Sequence, residues 1–333
     1  MATAERQHIL DPALRELHPQ RNPGFPLELD WVRDVRINRS AVERRAATVV
    51  TRRTVKKQWQ AAWLLRAITL LDLTTLAGDD TPGYVRRLCA KAVRPVRGDL
   101  LDALGVAQLQ PQVAAVCVYH QLVSTAAEAL GGTGIRVAAV STGFPAGLSP
   151  LSQRIEEIRA SLAAGAHEID VVITRAHALT GNWEALYDEV RAFREACGDA
   201  HIKVILGTGE LSTLRNTARA SLVAMMAGAD FIKTSTGKEA VNAVLPVGLV
   251  MTRMIREYHE RTGYAVGLKP AGGIRRAKQV LEWLMLLKEE LGTRWLTPQL
   301  FRIGASTLLN DIERQLEHFV TGRYSAAYRH PIA

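Results

Sequence analysis

The sequence is poor in cysteine and in long apolar runs. Only three of its 333 residues are cysteines (Cys89, Cys117 and Cys197), and their spacing matches no metal site. An odd number of scattered cysteines indicates free thiols in a reducing compartment. No run of about 18 apolar residues occurs, and the N-terminus lacks the apolar core of a signal peptide. We therefore expect a cytoplasmic protein with no membrane partner and no bound metal.

The sequence also lacks the signatures of dinucleotide and nucleic-acid binding. No GxGxxG follows the first predicted strand, which argues against a dinucleotide-binding fold. Positive charge is uneven: the chain carries +9, and residues 1–66 hold 13 Lys and Arg against 7 Asp and Glu, which is +6 and leaves +3 for the rest. Such an excess can attract an acidic partner. Because no helix-turn-helix or zinc finger accompanies it, we expect a solvated helical segment and no nucleic-acid partner.

Short apolar runs alternate with helical patterns of roughly 10–20 residues, which predicts parallel βαβ units. The eight apolar runs are residues 67–73, 114–118, 137–140, 168–173, 203–206, 230–233, 265–269 and 301–303. Eight such units in one chain favour an α/β fold of the (β/α)8 TIM barrel type over an open sheet.

Domain boundaries follow from the same pattern. Residues 1–26 hold four prolines and no sustained period, so we expect a mobile lead-in. Residues 27–66 are predicted to form a basic helical N-terminal extension. The barrel is then expected over residues 67–320, and a C-terminal tail over residues 321–333.

Charged residues occupy matching positions near the predicted strand ends. In such barrels the functional groups lie at the carboxyl ends of the strands. Lys233 and Lys269 close their strands, whereas Lys203 opens one and is expected at the opposite end, in a stabilising role. Side chains alternate between the two faces of a strand. If the faces that carry Asp72 and Asp170 point inward, two lysines and two aspartates meet in one pocket of zero net charge.

Two neighbouring ammonium groups change each other's chemistry. Like charge and burial both lower the pKa of a lysine from its usual value of about 10.4. A neutral amine near pH 7 is what imine formation with a carbonyl requires. A lone strand-terminal lysine is more often a salt-bridged structural residue, but four matching residues favour function. The pattern therefore indicates Schiff-base chemistry of the class I aldolase type.

Glycine-rich segments follow the last three predicted strands. They are "STGK", "PAGGIR" and "GAST", at residues 235–238, 270–275 and 304–307. Small residues allow close backbone approach, and helix N-termini favour anions. Phosphate sites in these barrels often involve the loops after strands seven and eight. We expect a phosphate group here, with Lys238 or Arg275 as the cation, although any one such loop could be a tight turn.

Six segments in register resemble the deoxyribose-phosphate aldolase family. They are "LLDLTTL", "AAVCVY", "EIDVVI", "DFIKTSTGKEAVNA", "GLKPAGGIR" and "FRIGASTLL". The resemblance extends over about residues 30–328, and its N-terminal part is similar to the longer, animal-type branch. It implies a (β/α)8 barrel that works without a cofactor. The implied reaction is reversible cleavage of 2-deoxy-D-ribose 5-phosphate to D-glyceraldehyde 3-phosphate and acetaldehyde, in deoxyribonucleoside catabolism.

The resemblance implies catalytic roles for four residues inside the barrel. Lys233 corresponds to the Schiff-base nucleophile, and Lys269 is the second lysine that lowers its pKa. Asp170, with a water molecule, is the acid and base that moves protons at the imine and hydroxyl carbons. Asp72 is the polar partner that holds the lysine network.

The resemblance also implies roles in the tail and around the substrate. Tyr328, or alternatively Tyr324, corresponds to a tail tyrosine that assists proton transfer. Thr74 and Thr236 would contact substrate hydroxyls or order water. The phosphate would be held by Gly237, Lys238, Gly272, Gly273, Gly304, Ser306 and Thr307. One departure is Thr307, since compact family members have a serine there, but a threonine keeps the hydroxyl.

Two other functions stay open from the sequence. Another Schiff-base barrel enzyme, such as a transaldolase, would share the lysine chemistry. A non-catalytic protein could instead use the basic segment 33–66 to bind an acidic partner. The expected partner is a small phosphorylated sugar, and the sequence leaves a homo-oligomer open.

Overall fold

The computed structural model describes residues 21–52 and 55–331. Its centre is one parallel sheet of eight strands: β1 (Leu71–Thr74), β2 (Ala115–Tyr119), β3 (Arg136–Ser141), β4 (Glu168–Val172), β5 (His201–Ile205), β6 (Phe231–Lys233), β7 (Gly267–Lys269) and β8 (Ile303–Ala305). Strands β1 to β7 pair in chain order, and β8 pairs with β1. Bridges from Leu268 to Phe301 and from Ala271 to Gly304 close the barrel. The predicted (β/α)8 fold is confirmed.

Helices connect successive strands and form the outer layer. The helices that follow β1 along the chain are α4 (Pro82–Val93), α5 (Gly98–Ala103), α6 (Val123–Ala129), α7 (Leu151–Ala163), α8 (Arg175–Thr180), α9 (Trp183–Cys197), α10 (Leu214–Met226), α11 (Leu245–Thr262), α12 (Ala277–Leu291) and α13 (Leu308–Thr321). Their ends follow local sequence signals. Helix α9 begins after Asn182, whose side chain accepts a hydrogen bond from Ala185 N, and α11 is followed by Gly263, which has a left-handed φ of 78°. No helix within the described ranges is long and apolar enough to span a bilayer.

Some strand boundaries differ from those predicted. The first apolar run begins in a helix, because Ile68 still belongs to α3 (Lys57–Ile68) and the N–H of Leu70 donates to Ala67 O. Strand β5 begins at His201, two residues earlier than predicted, and β8 begins at Ile303, two residues later. Apolar runs predict where a strand lies but not where its pairing starts, since helix ends and buried turns are apolar as well.

The N-terminal extension is helical and packs on one side of the barrel. It consists of α1 (Leu29–Asp34), α2 (Arg39–Arg52) and α3. Helix α2 packs against α11 and α12 and buries Val42, Ala46 and Val49. Arg45 on the same helix forms an ion pair with Glu289 at 2.8 Å, so part of the basic excess is neutralised within the chain. The domain boundaries themselves stay a prediction.

The predicted lead-in is only partly described. Residues 1–20 lie outside the described part of the chain. Residues 21–26 pack against the barrel, which differs from the mobile segment predicted for them. The amide of Asn22 donates to Met225 O at 2.7 Å and to Ala229 O at 2.9 Å, and its oxygen accepts from Tyr258 at 3.0 Å. Arg21 adds an ion pair to Asp230 at 3.1 Å.

Each strand separates two environments, as its alternating side chains predict. Outward residues such as Val116 and Ile169 belong to the large core between the strands and the helices. Inward residues line the barrel interior, where space is short. Gly267 has no side chain there, because a Cβ would lie 2.3 Å from the ring of Phe231. The carboxyl ends of the strands form what we call the upper end of the barrel.

Candidate active site

Four of the predicted catalytic residues meet inside the barrel. Oδ2 of Asp170, on β4, accepts hydrogen bonds from Nζ of both Lys233 and Lys269, each at 2.7 Å. Lys233 and Lys269 are paired across β6 and β7, so their side chains project side by side. Lys269 also forms an ion pair with Asp72 of β1. Both amines therefore lie within two hydrogen-bond lengths of each other, as the sequence predicts.

Lys203 belongs to the same cluster, and its predicted position at the opposite end of the barrel is wrong. Because β5 begins at His201, Lys203 is level with Asp170 in the paired strands. Its Nζ donates to Asp170 Oδ1 at 3.0 Å and to Glu168 at 2.6 Å. The predicted stabilising role is compatible with these contacts, but Lys203 touches the carboxylate of Asp170 directly.

Glu168 and Arg302 complete the cluster and were not identified from the sequence. Arg302 donates from Nη1 to Asp72 at 2.6 Å and from Nη2 to Glu168 at 2.8 Å. Both residues carry a charge within an apolar run. Glu168 is two residues before Asp170 and therefore lies on the same face of its strand. Arg302 is likewise two residues before Gly304. A charged side chain in an inward position of a buried strand is the signal that could have found them.

These residues form what we call the interior charge cluster: Asp72, Glu168, Asp170, Lys203, Lys233, Lys269 and Arg302. All seven are buried. The cluster holds three carboxylates and four basic groups, so complete ionisation would leave one surplus positive charge. An uncompensated buried charge is costly. A single neutral lysine removes the surplus.

Among the three lysines, the pKa directions favour Lys233 as the neutral one. Burial lowers the pKa of Lys233, and the charge of Lys269 lowers it further, against the raising effect of Asp170. Burial also opposes ionisation of Lys203 and Lys269, but Asp170 and a second carboxylate raise the pKa of each above its ordinary value. Lys233 is 3% exposed, whereas the other two lysines are fully buried. The amine most disposed to be neutral is also the only one of these three with any exposed surface.

The three carboxyl groups stay ionised. Burial opposes their ionisation, but Arg302 and Lys203 lower the pKa of Glu168 to about 2. The pKa of Asp170 is well below its usual value because the three lysines outweigh its burial. Every carboxylate in the cluster is thus engaged with basic side chains. Among residues 21–52 and 55–331, no group of three or more His, Cys, Asp or Glu side chains is arranged to hold a metal ion.

An apolar wall faces Lys233. Cys117 and Val140 are buried in it, and Tyr119 and Phe144 pack against them. The Phe144 ring centroid lies 6.0 Å from Lys233 Nζ and meets the Tyr119 ring edge-on. Burial raises the pKa of the Cys117 thiol, so this residue behaves as a small apolar group. The wall keeps water from the amine and thereby favours its neutral form.

The two threonines predicted to contact substrate are both engaged within the chain. Thr74 donates from Oγ1 to Asp72 O at 2.7 Å. Thr236 is buried, and its N–H and hydroxyl donate to the carboxylate of Glu239 at 3.0 Å and 2.8 Å. Glu239 was not identified from the sequence. Its Thr-x-x-Glu spacing, which is typical of capping boxes, was the available signal.

The predicted phosphate residues after β6 and β7 lie together. A Cβ on Gly237 would lie 3.7 Å from the Cα of Gly272, so the two loops touch. Both glycines have left-handed backbones, with φ of 90° and 84°, which other residues rarely adopt. Lys238 and Gly273 are exposed on the same loops. Ser306 and Thr307 are exposed directly before α13, with their hydroxyls near the N-terminus of that helix.

Gly304 is the exception among these residues. It is buried, and its N–H donates to Pro270 O at 2.9 Å. A Cβ at this position would lie 2.8 Å from the Cβ of Ala271 and 3.3 Å from Cε of Lys269. Its smallness therefore makes room for Lys269, and the structure gives its backbone no free donor for a phosphate.

The tail tyrosines do not reach this site. Residues after α13 fold back along that helix, where His330 is buried and its Nε2 lies 2.6 Å from the carboxylate of Glu317. Tyr328 is 83% exposed, and Tyr324 stacks on His318 with ring centroids 4.0 Å apart. Neither tyrosine contacts the interior charge cluster in this arrangement.

Comparisons with known proteins identify the family. Residues 66–314 match the sequence model of the DeoC/LacD family aldolases. The deoxyribose-phosphate aldolase of Homo sapiens is 59% identical over 314 residues, which are 94% of this chain and 99% of the human protein. That of Mus musculus is 60% identical over 312 residues, or 93% of this chain and 98% of the mouse protein.

Solved structures agree on the fold. A structure from Toxoplasma gondii ME49 aligns with a TM-score of 0.68 at 21% identity and covers 83% of this chain and 100% of that one. The deoxyribose phosphate aldolase of Aeropyrum pernix, described as a unique tetramer, aligns with a TM-score of 0.57 at 22% identity and covers 79% and 97%. The resemblance carried by the six sequence segments is confirmed: this chain belongs to the DeoC/LacD aldolase family, among its deoxyribose-phosphate aldolases.

Proposed function

We propose that this enzyme reversibly cleaves 2-deoxy-D-ribose 5-phosphate to D-glyceraldehyde 3-phosphate and acetaldehyde through a Schiff base on Lys233. The observation that carries the proposal is the pairing of two amines on one carboxylate oxygen, where Lys233 is the less buried of the two and its pKa is lowered. The names of the human and mouse relatives support the substrate. A transaldolase would share the lysine, but neither of these relatives is named as one.

The covalent step uses the neutral amine of Lys233. Its nitrogen attacks the C1 aldehyde of the open-chain sugar, and loss of water gives a protonated imine. The imine accepts the electron pair of the C2–C3 bond as that bond breaks. This leaves an enamine on Lys233 and releases glyceraldehyde 3-phosphate. Because the protonated imine restores the charge that the free amine lacked, Asp170 stabilises it directly.

Proton transfer falls to Asp170. Its carboxylate is ionised and lies 2.7 Å from Lys233 Nζ, so it is next to the imine carbon. With a water molecule it takes the proton of the C3 hydroxyl and returns a proton to C2 of the enamine. Hydrolysis of the resulting imine releases acetaldehyde. General acid and base catalysis of this kind contributes about 10²–10⁴-fold.

The phosphate of the substrate is assigned to the loops after β6, β7 and β8. Gly237 and Gly272 bring two backbone segments into contact, and Lys238 adds a positive charge. The exposed hydroxyls of Ser306 and Thr307 stand near the N-terminus of α13, where a helix favours anions. We leave Gly304 and Tyr328 out of the proposed site because of their positions. The catabolic role and the cytoplasmic location stay predictions.

Trapping of the imine tests the proposal. Incubation with acetaldehyde and sodium borohydride should add one ethyl group, seen by intact mass, and peptide mapping should find it on Lys233. Lys233→Met should show no addition, and borohydride alone should leave the parent unchanged. Label on any other lysine would reject the assignment.

The substrate is tested separately by a coupled assay for glyceraldehyde 3-phosphate. We expect release from 2-deoxyribose 5-phosphate, with much lower kcat/KM for unphosphorylated 2-deoxyribose. Trapping on Lys233 without this release would keep the Schiff base but reject the substrate.

A further inference from the structure

The carboxylate of Glu239 occupies an anion position on the loop after β6. Thr236 N–H donates to both of its oxygens, at 3.0 Å and 3.1 Å, and Gly237 N–H donates to Oε2 at 3.1 Å. The Thr236 hydroxyl donates to the same oxygen at 2.8 Å. Three donors thus converge on one negatively charged group. This is the arrangement by which backbone loops bind phosphate.

We propose that Glu239 is an internal competitor for the substrate phosphate. The inference rests on the proposed function, because Gly237 and Lys238 belong to the assigned phosphate site. A phosphate oxygen and the Glu239 carboxylate cannot both accept from the Gly237 N–H. Two negative groups side by side would also repel each other. Binding of a phosphorylated substrate therefore requires the Glu239 side chain to leave its donors.

The surroundings of Glu239 allow its side chain to move while the loop stays folded. The main chain of residue 239 is held by the Asn242 amide, which donates to Glu239 O at 2.9 Å. The Lys238 N–H donates to Thr236 Oγ1 at 3.1 Å, which closes the turn without the carboxylate. The side chain itself is half-buried, and no salt bridge holds it within the described part of the chain. Only hydrogen bonds must be exchanged.

Competition of this kind favours ligands that can supply the replacement charge. A phosphate gives the loop donors a new anion, whereas an unphosphorylated sugar gives them none. The apparent affinity for phosphate is the intrinsic affinity multiplied by the fraction of loops already free. If the Glu239 carboxylate has left the loop in about one molecule in ten, removal of Glu239 strengthens phosphate binding about tenfold.

The opposite role would make the opposite prediction. If Glu239 only stabilises the turn, as the Glu of a capping box does, its loss disorders the loop and weakens phosphate binding. The two roles therefore differ in the sign of one measured quantity. Glu239→Gln keeps the shape and one acceptor oxygen but removes the charge, whereas Glu239→Ala removes both.

Steady-state kinetics and phosphate binding together test the proposal. We expect KM for 2-deoxyribose 5-phosphate to fall a few-fold in Glu239→Gln and up to about tenfold in Glu239→Ala. The ratio of kcat/KM for the phosphorylated over the unphosphorylated sugar should rise by the same factors. Glu260→Gln makes the same change of charge at an exposed position on α11 and should match the parent.

Calorimetric titration with inorganic phosphate keeps this test separate from that of the proposed function. Its dissociation constant should fall in both Glu239 variants even if the parent fails to cleave the sugar phosphate. A higher KM and a higher phosphate dissociation constant in Glu239→Ala would overturn the proposal in favour of a structural turn. An unchanged dissociation constant in both variants would overturn it as well.

Discussion

The lower and upper layers of the interior charge cluster differ in how their charges are paired. Below, Arg302 is bonded to both Asp72 and Glu168, and Lys203 joins Glu168 to Asp170. Above, Lys233 and Lys269 donate to the same oxygen of Asp170, the one carboxylate that Lys233 contacts among the described residues, and Lys233 faces the apolar wall. The lower charges are paired with groups of opposite sign on other strands, as in a structural ion-pair network. Burial, followed by the charge of Lys269, lowers the pKa of the upper amine, and this favours its neutral form.

Replacement of Lys233 should separate activity from stability. Lys233→Met removes the nucleophile, so we expect turnover to fall by roughly 10⁴-fold or more. The remaining three basic groups and three carboxylates balance, so stability to urea should be unchanged or higher. Lys278→Met, at an exposed position on α12, should keep both properties. A large loss of stability in Lys233→Met would mean that the upper amine is structural as well.

Replacement of Arg302 should have the converse effect. Arg302→Met leaves Asp72 and Glu168 without their shared partner, so we expect the free energy of unfolding to fall by about 3–5 kcal/mol. Urea titration measures the loss, and Arg302→Lys should recover part of it. A variant as stable as the parent would show that the lower charges are dispensable.

Arg302→Met should also change the stability of the protein at low pH. The pKa of Glu168 is about 2 when folded against 4.5 ordinarily, so its pairing adds stability above pH 4.5 that is lost as the pH falls toward 2. Without Arg302 this pKa rises, and acid unfolding should begin at a higher pH. Identical acid-unfolding curves for parent and variant would contradict the assignment.

Replacement of Lys269 should make the pairing of Lys233 more like that of the lower charges. In Lys269→Leu the charge that lowers the pKa of Lys233 is gone, and Asp170 is left to pair more strongly with Lys233. Both changes raise the pKa of Lys233, so less neutral amine is present at pH 7. We expect imine trapping to slow by about 10²-fold and its pH profile to move to higher pH. A profile that matches the parent would contradict this role.

Removal of the hydroxyls before α13 should affect substrate capture alone. With Ser306→Ala and Thr307→Val together, we expect KM for 2-deoxyribose 5-phosphate to rise about tenfold at similar kcat. Unphosphorylated 2-deoxyribose serves as the internal control. Equal losses on both sugars would argue against a phosphate contact here.

The smallest effect is expected at the tail. Because Tyr328 is exposed and does not contact the interior charge cluster in this structure, Tyr328→Phe should change kcat by less than about twofold. A larger fall in kcat at constant KM would mean that the tail reaches the site during turnover.

The sequence predicts the barrel well because eight buried strands leave eight apolar runs between helical patterns. It also predicts the meeting of Lys233, Lys269, Asp72 and Asp170, since parity and strand ends determine which side chains face inward at the same level. Lys203 was misplaced because its strand begins at His201, two residues before the run that is apolar. A shift of two residues in the start of a strand leaves each side chain on the same face of the sheet but changes its height along the barrel axis. The alternation of apolar residues is the same in both cases, so it cannot reveal the shift.

The remaining differences concern contacts that join distant parts of the chain. Arg302 is 230 residues from Asp72 in sequence, and no local pattern relates the two. Gly304 was assigned to phosphate because it follows a strand, but packing against Ala271 and Lys269 decides its role. The position of Tyr328 depends on how the tail folds against α13, which its short sequence does not specify.

The docking of Asn22 bears on how this enzyme can be shortened. Its amide donates to Met225 O near the end of α10 and to Ala229 O just before β6, so it ties the N-terminal residues to this part of the barrel. A gene trimmed at the sequence-defined boundary, to encode residues 27–333, would keep the whole interior charge cluster yet expose those carbonyls. The trimmed enzyme should therefore be made in an active form that inactivates at a lower temperature than the full chain.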